Sequence, residues 1–194
     1  MIRARGVEKR YGRKRVLDGI DLDVDDGGFT VVTGPNGSGK TTLLRLLAGL
    51  ALPTRGELAV EAGRAQVGYL AHEPLVYREL TAIENLDLFG RLYRVPERRE
   101  RTGMLLERFS LWDARNDRVS SFSRGMTQRL ALCRALLHDP RLLVFDEPFS
   151  SLDEEGASVL DRELEAVGGR RTVVIATHDP RRLEPLATGS LVLA

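Results

Sequence analysis

The chain has 194 residues, 29% of them charged, and its 29 Lys plus Arg against 28 Asp plus Glu leave a net charge of +1. That balance excludes a polybasic nucleic-acid tail and an acidic disordered tail, and a hydrophobic share of 42% is that of a globular chain. The length suits one domain, able to bury about 70% of its unfolded surface without covalent staples.

In chain order, Ile2 to Val7 and Val16 to Val24 alternate apolar and polar residues, the second as VLDGIDLDV, which predicts half-buried strands. After a turn at Asp25 to Gly28, FTVVTG predicts a strand running into a glycine-rich loop, and TTLLRLLAGL a helix closed near Gly49. Further strands are expected at Gly56 to Val60 and Gln66 to Leu70. Helical spacing then takes over in TAIENLDLFGRLYR, PERRERTGMLLERF and SRGMTQRLALCRALLHD, with Pro96 and Pro140 as boundaries. The strand RLLVFDE follows, then a helix from Asp153 to Val167, the strand TVVIATHD, a short helix and a last strand ending at Val192. Strands alternating with helices imply a mostly parallel sheet, and the helical block in the middle a second lobe. The arginines 91, 94, 98, 99 and 101, mixed with Glu97 and Glu100, are expected on a solvated helix face.

Cys133 is the single cysteine, and His72, His138 and His178 are too widely spaced for a zinc pattern, which suits a reducing cytoplasm. Cys133 and His138 are read as structural, the latter as a cation favoured near a helix C-terminus. The basic opening MIRARGVEKRYGRKR lacks the apolar stretch of a signal peptide, and LLRLLAGLAL is too short to span a bilayer.

The segment GPNGSGKTT, Gly34 to Thr42, fits G-x-x-x-x-G-K-T between a strand and a helix, the context that pattern requires. Gly34, Gly37 and Gly39 let backbone N–H groups converge on phosphate oxygens, while Pro35, Asn36 and Ser38 shape the turns between them. Lys40 is expected to reach the β- and γ-phosphates, and the Thr41 hydroxyl to ligate Mg²⁺ beside Thr42. Lys40 is one of only three lysines, with Lys9 and Lys14, in an arginine-rich chain. An ammonium suits such a cradle where a guanidinium fork would not.

In RLLVFDEP the apolar run delivers Asp146 and Glu147 to the carboxyl end of a strand, where open α/β sheets bind ligands. Alone, this triplet would be read as opening a loop and capping the following helix. Combined with the glycine loop, it points to Asp146 in the Mg²⁺ shell and Glu147 polarising the water that attacks the γ-phosphate.

With these segments in place, the whole chain resembles the ATP-binding subunits of ABC transporters. The resemblance implies an α/β P-loop fold of ABC-cassette type, with a mostly parallel core sheet, an N-terminal antiparallel part and an inserted helical lobe. It divides residues 1–194, as one domain, into a nucleotide-binding core at 1–72 and 140–194 and a helical lobe at 73–139. FSRGM matches the family signature L-S-G-G-Q at Ser123 and Gly125, with Arg124 and Met126 departing from it. SSLD, Ser150 to Asp153, resembles the D-loop, His178 in ATHD the switch histidine that contacts the γ-phosphate, and Tyr11 the aromatic that stacks on adenine. His72 in VGYLAHEP stands where the family usually carries glutamine.

ATP and Mg²⁺ are therefore the implied cofactors and ATP hydrolysis the implied reaction. The implied partners are a second ATP-binding subunit, packed so that each signature seals the other's nucleotide, and a separately encoded permease, with no nucleic acid. Leu75, Val76 and Tyr77 are the expected docking residues, and the cytoplasmic face of the cell membrane the expected location. The YLAHEP loop and S-R-G-M-T-Q-R further resemble the ATP-binding subunit of the haem exporter of cytochrome c maturation. A drug or lipid exporter subunit, and a soluble ABC ATPase acting on ribosomes or DNA, are the alternatives. A small-molecule kinase would leave the signature without a purpose.

Overall fold

Side-chain alternation along a central parallel sheet divides the apolar residues into two clusters, one on each face. The computed structural model describes residues Met1 to Ala194. Its strands are β1 (Ile2–Tyr11), β2 (Lys14–Val24), β3 (Phe29–Thr33), β4 (Arg55–Val60), β5 (Val67–Leu70), β6 (Leu142–Asp146), β7 (Thr172–Ala176) and β8 (Gly189–Val192). Its helices are α1 (Lys40–Leu47), α2 (Ala82–Leu92), α3 (Arg98–Arg108), α4 (Arg124–Leu136) and α5 (Glu154–Val167).

Five strands pair in parallel in the order β5-β6-β7-β3-β8, and three pair antiparallel in the order β2-β1-β4. Because a strand's side chains alternate between faces, Val32, Leu142, Val144, Val174 and Ala176 point to a cluster shared with α1 and the antiparallel strands. Val31, Leu143, Phe145, Val173 and Ile175 point the other way, to a cluster shared with α2 to α5. The carboxyl ends of β3, β6 and β7 are thereby held between two packed layers.

Helix starts follow from local chemistry. Thr81 and Glu84 form a reciprocal capping box on α2, Ser123 caps α4 through the Met126 N–H, and Asp153 caps α5 through the Gly156 N–H. α3 starts at Arg98 rather than Pro96, because Glu97 takes a left-handed conformation at φ 47°. The expected short helix after Asp179 is only a turn, in which Leu183 and Glu184 both donate to the Pro180 carbonyl. β1 also runs past Val7 to Tyr11, its register shifted at irregularities on the way.

Two expectations need correction. The arginine run is not one solvated face: Arg91 and Arg98 both pair with Asp87, Arg94 lies beyond α2 at φ 55°, and Arg101 turns inward to the Leu136 carbonyl. His138 is not held as a cation. Its ring stacks on Tyr93 at 4.0 Å and its Nε2 meets the Val67 carbonyl at 3.1 Å, while burial lowers its pKa. Cys133 is buried as expected, where desolvation pushes its thiol pKa far up.

Candidate functional site

The glycine loop joins β3 to α1. Gly34 has φ 148°, and a Cβ there would lie 2.4 Å from the Leu193 carbonyl oxygen; Gly39 has φ 100°, and a Cβ there would meet Leu17 Cδ2 at 2.6 Å and the Val16 oxygen at 2.9 Å. Only glycine fits at both positions. Gly39 provides no side-chain cap, and the first turn of α1 has no acidic residue, so its N–H groups remain available to an anion. The Ser38 hydroxyl is buried without a partner. Lys40, only 8% exposed, folds back over the loop and donates to the Gly34 carbonyl at 2.6 Å and the Pro35 carbonyl at 3.3 Å.

This loop forms one wall of a cleft of about 640 Å³, lined also by Asp146, Glu147, His72 and His178. Thr41, the second residue of α1, donates to Asp146 Oδ2 at 2.6 Å. Burial raises the Asp146 carboxyl above the usual carboxylate range, against the opposing effects of the Thr41 hydroxyl, His72 and Lys40. Two hard oxygen donors side by side, one a desolvated carboxylate, fit Mg²⁺. No group of three or more acidic, His or Cys side chains surrounds this pair, so an ion here would need further oxygen ligands from outside the protein.

Glu147 takes φ 49°, a strained conformation for a side chain with a Cβ, and its N–H donates to the Ala176 carbonyl at 2.9 Å. That fixes its carboxylate between Thr177 Oγ1 at 3.2 Å and His178 Nδ1 at 3.0 Å. The carboxylate is nearly buried and His178 mostly exposed. Buried Gln128 on α4 donates to the Pro148 carbonyl at 3.2 Å, tying that helix to the segment after Glu147.

Asn36, Gly37, Lys40, Thr41, Thr42, His72, Asp146, Glu147 and His178 thus share one cleft, and Gly34, Pro35, Ser38 and Gly39 build its loop. Ser123, Gly125 and Tyr11 do not line it. Ser123 and Gly125 begin α4, where a Gly125 Cβ would lie 3.0 Å from the Ser151 carbonyl oxygen. Arg124 between them lines a neighbouring groove of about 710 Å³, which His72 and Ser150 share with the cleft. Tyr11 is half exposed at the tip of the β1–β2 hairpin, with Lys9 Nζ 5.1 Å from its ring centre, and pairs across the hairpin with Lys14. Lys14 and Val16 do line the cleft and were not singled out from the sequence. The scarcity of lysine was their one sequence signal, since two of the three lysines meet in this space.

The family model described as ABC transporter matches residues 17–150. This chain belongs to the ABC transporter family. Among curated relatives, it is 41% identical to the daunorubicin resistance ATP-binding protein DrrA3 of Streptomyces coeruleorubidus over 94% of this chain, and it spans only 61% of that protein's length. It is 38% identical to the aliphatic sulfonates import ATP-binding protein SsuB 1 of Mesorhizobium japonicum, over 98% of this chain and 74% of the relative. A solved dimer of the ATP-binding cassette MJ0796, in a post-hydrolysis state bound to ADP and Pi, superposes with a TM-score of 0.90 at 27% identity, covering all of this chain and 94% of the other. No helix of the chain is long and apolar enough to cross a membrane.

Proposed function

We propose that this chain is the ATP-hydrolysing subunit of an ABC transporter. The observation that carries the reading is the meeting, in one cleft, of a glycine loop closed by Lys40, the Thr41–Asp146 pair and the Glu147–His178 pair. In it, the loop N–H groups from Gly34 to Thr42 and the Lys40 ammonium bind the triphosphate, releasing Lys40 from its two carbonyl partners. Thr41 and Asp146 would hold Mg²⁺, which supplies neutralisation of charge on the phosphates. Glu147 accepts a proton from the attacking water. His178, hydrogen-bonded to the same carboxylate, orients it and swings to contact the γ-phosphate. His72 senses the nucleotide in place of glutamine, offering one hydrogen bond from a shorter side chain.

Ser123 and Gly125 act on the ATP of a second copy, and their position outside this copy's cleft supports that assignment. The N-terminus of α4 supplies the N–H groups, so ATP favours the closed pair and hydrolysis releases it. We take Tyr11 as the adenine platform, one cross-strand pair from cleft-lining Lys14. The chain then acts as one ATP-binding domain with its signature on the 73–139 lobe.

The permease, a separate polypeptide, docks at Leu75, Val76 and Tyr77, which puts this chain at the cytoplasmic face of the membrane as a peripheral subunit. Exposed Leu75 and Tyr77 support this, as does Val76, which lines the groove of about 710 Å³ that His72 shares with the cleft. For the cargo, drug or lipid export is the reading favoured by the daunorubicin-resistance relative. Haem export rests on the YLAHEP and SRGMTQR segments alone, and none of the relatives named above is a haem exporter. Incubation with Mg²⁺ and labelled ATP tests the core reading: bound nucleotide and released phosphate are expected, and absence of both overturns it. Copurification of the membrane partner, followed by a search for compounds that stimulate turnover, tests the cargo.

A further inference from the structure

Four arginines surround a recess of about 200 Å³ at the opposite end of the parallel sheet from the cleft. Arg101 and Arg108 reach it from α3, and Arg170 and Arg171 from the turn that leads into β7. Arg171 immediately precedes the first residue of β7, whereas the cleft begins beyond its last, so roughly 15 Å of strand separates the two places.

Two carboxylates oppose these four charges. Glu163 on α5 pairs with Arg108 at 3.1 Å, and Asp139 pairs with Arg171 and lies 3.8 Å from Arg101. The recess also adjoins the ends of α4 and α5, whose carbonyls attract cations. The Val167 oxygen accepts from the Arg170 and Arg171 N–H groups, and the only arginine side chain these ends engage is Arg101, whose Nη2 donates to the Leu136 oxygen at 3.2 Å. What is left over is specific. Arg101 Nε is buried without any hydrogen-bond partner, and Arg170, exposed at the mouth of the recess, has neither a side-chain hydrogen bond nor an ion pair.

We infer that this recess is a binding site for a phosphate-class oxyanion, held by Arg101 and Arg170 and opposed by Glu163. Guanidinium forks match the paired oxygens of phosphate, and an excess of two positive charges over the carboxylates favours an anion. The space is below the roughly 300 Å³ at which drug-sized ligands begin to fit, so it admits a phosphate group and not a nucleotide. The same group could arrive free in solution or as the headgroup of an anionic lipid.

The test compares wild type, Arg170→Gln and Glu163→Gln. Any phosphate binding in the cleft contributes equally to all three, so their differences report the recess. Thermal midpoints are measured against rising inorganic phosphate at constant ionic strength, and retention is measured on phosphatidylcholine vesicles with and without phosphatidylglycerol. The expected result is a phosphate-dependent rise that is reduced in Arg170→Gln and appears at about tenfold lower phosphate in Glu163→Gln, which removes the opposing charge. An Arg170-dependent phosphate response without vesicle retention identifies free phosphate. Arg170-dependent retention on the anionic vesicles identifies the lipid headgroup. Responses and retention that are the same in all three proteins overturn the proposal. Arg170 has no partner to lose, so its replacement leaves the fold intact.

Discussion

The N-terminus of α5 is closed by its own side chains, and that of α1 is left open. Asp153 accepts from the Gly156 N–H at 2.9 Å, and Glu154 and Glu155 place negative charge in the first turn. α1 begins at a left-handed glycine with no side-chain cap and no acidic residue in its own first turn. Both ends expose the same backbone donors to begin with. The difference teaches where the chain keeps its own helix end satisfied and where that end is reserved for something else: a cap costs nothing at α5 and would occupy the proposed phosphate site at α1.

The predictions test that contrast. Glu147→Gln should retain ATP but lower phosphate release by roughly 10²- to 10⁴-fold, as expected for loss of a general base. Unchanged turnover in that variant would remove Glu147 from the mechanism. Lys40→Ala should weaken ATP binding by roughly 10- to 100-fold, the size of a charge-assisted contact, in a filter-binding measurement. Wild-type affinity would contradict the role given to the open end of α1. Thr81→Ala at the closed start of α2 should do the converse, lowering stability by about 1 kcal/mol in a denaturant titration while leaving ATP affinity unchanged.

The smallest effect expected is one of pH. Burial lowers the His138 pKa, so the folded protein holds that imidazole neutral while the unfolded chain takes up a proton near the ordinary value of about 6.5. Its contribution to stability is therefore present above that value and is lost as the pH falls toward the lower folded one. Melting curves from pH 7.5 to 5.5 should fall less steeply for His138→Phe, which keeps the ring over Tyr93. Equal slopes in the two proteins would assign the acid sensitivity elsewhere.

Local patterns made much of this legible in advance. The glycine loop, the apolar run into Asp146 and Glu147, and the capped helices α2, α4 and α5 each follow from neighbours in sequence. Lys14 and Val16 escaped because they reach the cleft only through the way β2 crosses the loop, where the Val16 carbonyl would meet a Cβ on Gly39. Arg101 escaped for the same kind of reason. Nothing in RRERTG distinguishes it from Arg99 until α4 packs beside α3 and offers the Leu136 carbonyl. The Thr177 hydroxyl on Glu147 likewise depends on the pairing of β6 with β7.

Since β6 and β7 send alternate residues into both apolar clusters, Val144 and Phe145 anchor opposite sides of the molecule from adjacent positions. Melting either half would strip a wall from its neighbour. Heat should therefore bring down the helical and the strand-rich parts in a single cooperative step, registered alike by far-ultraviolet dichroism and by exposure of the Cys133 thiol.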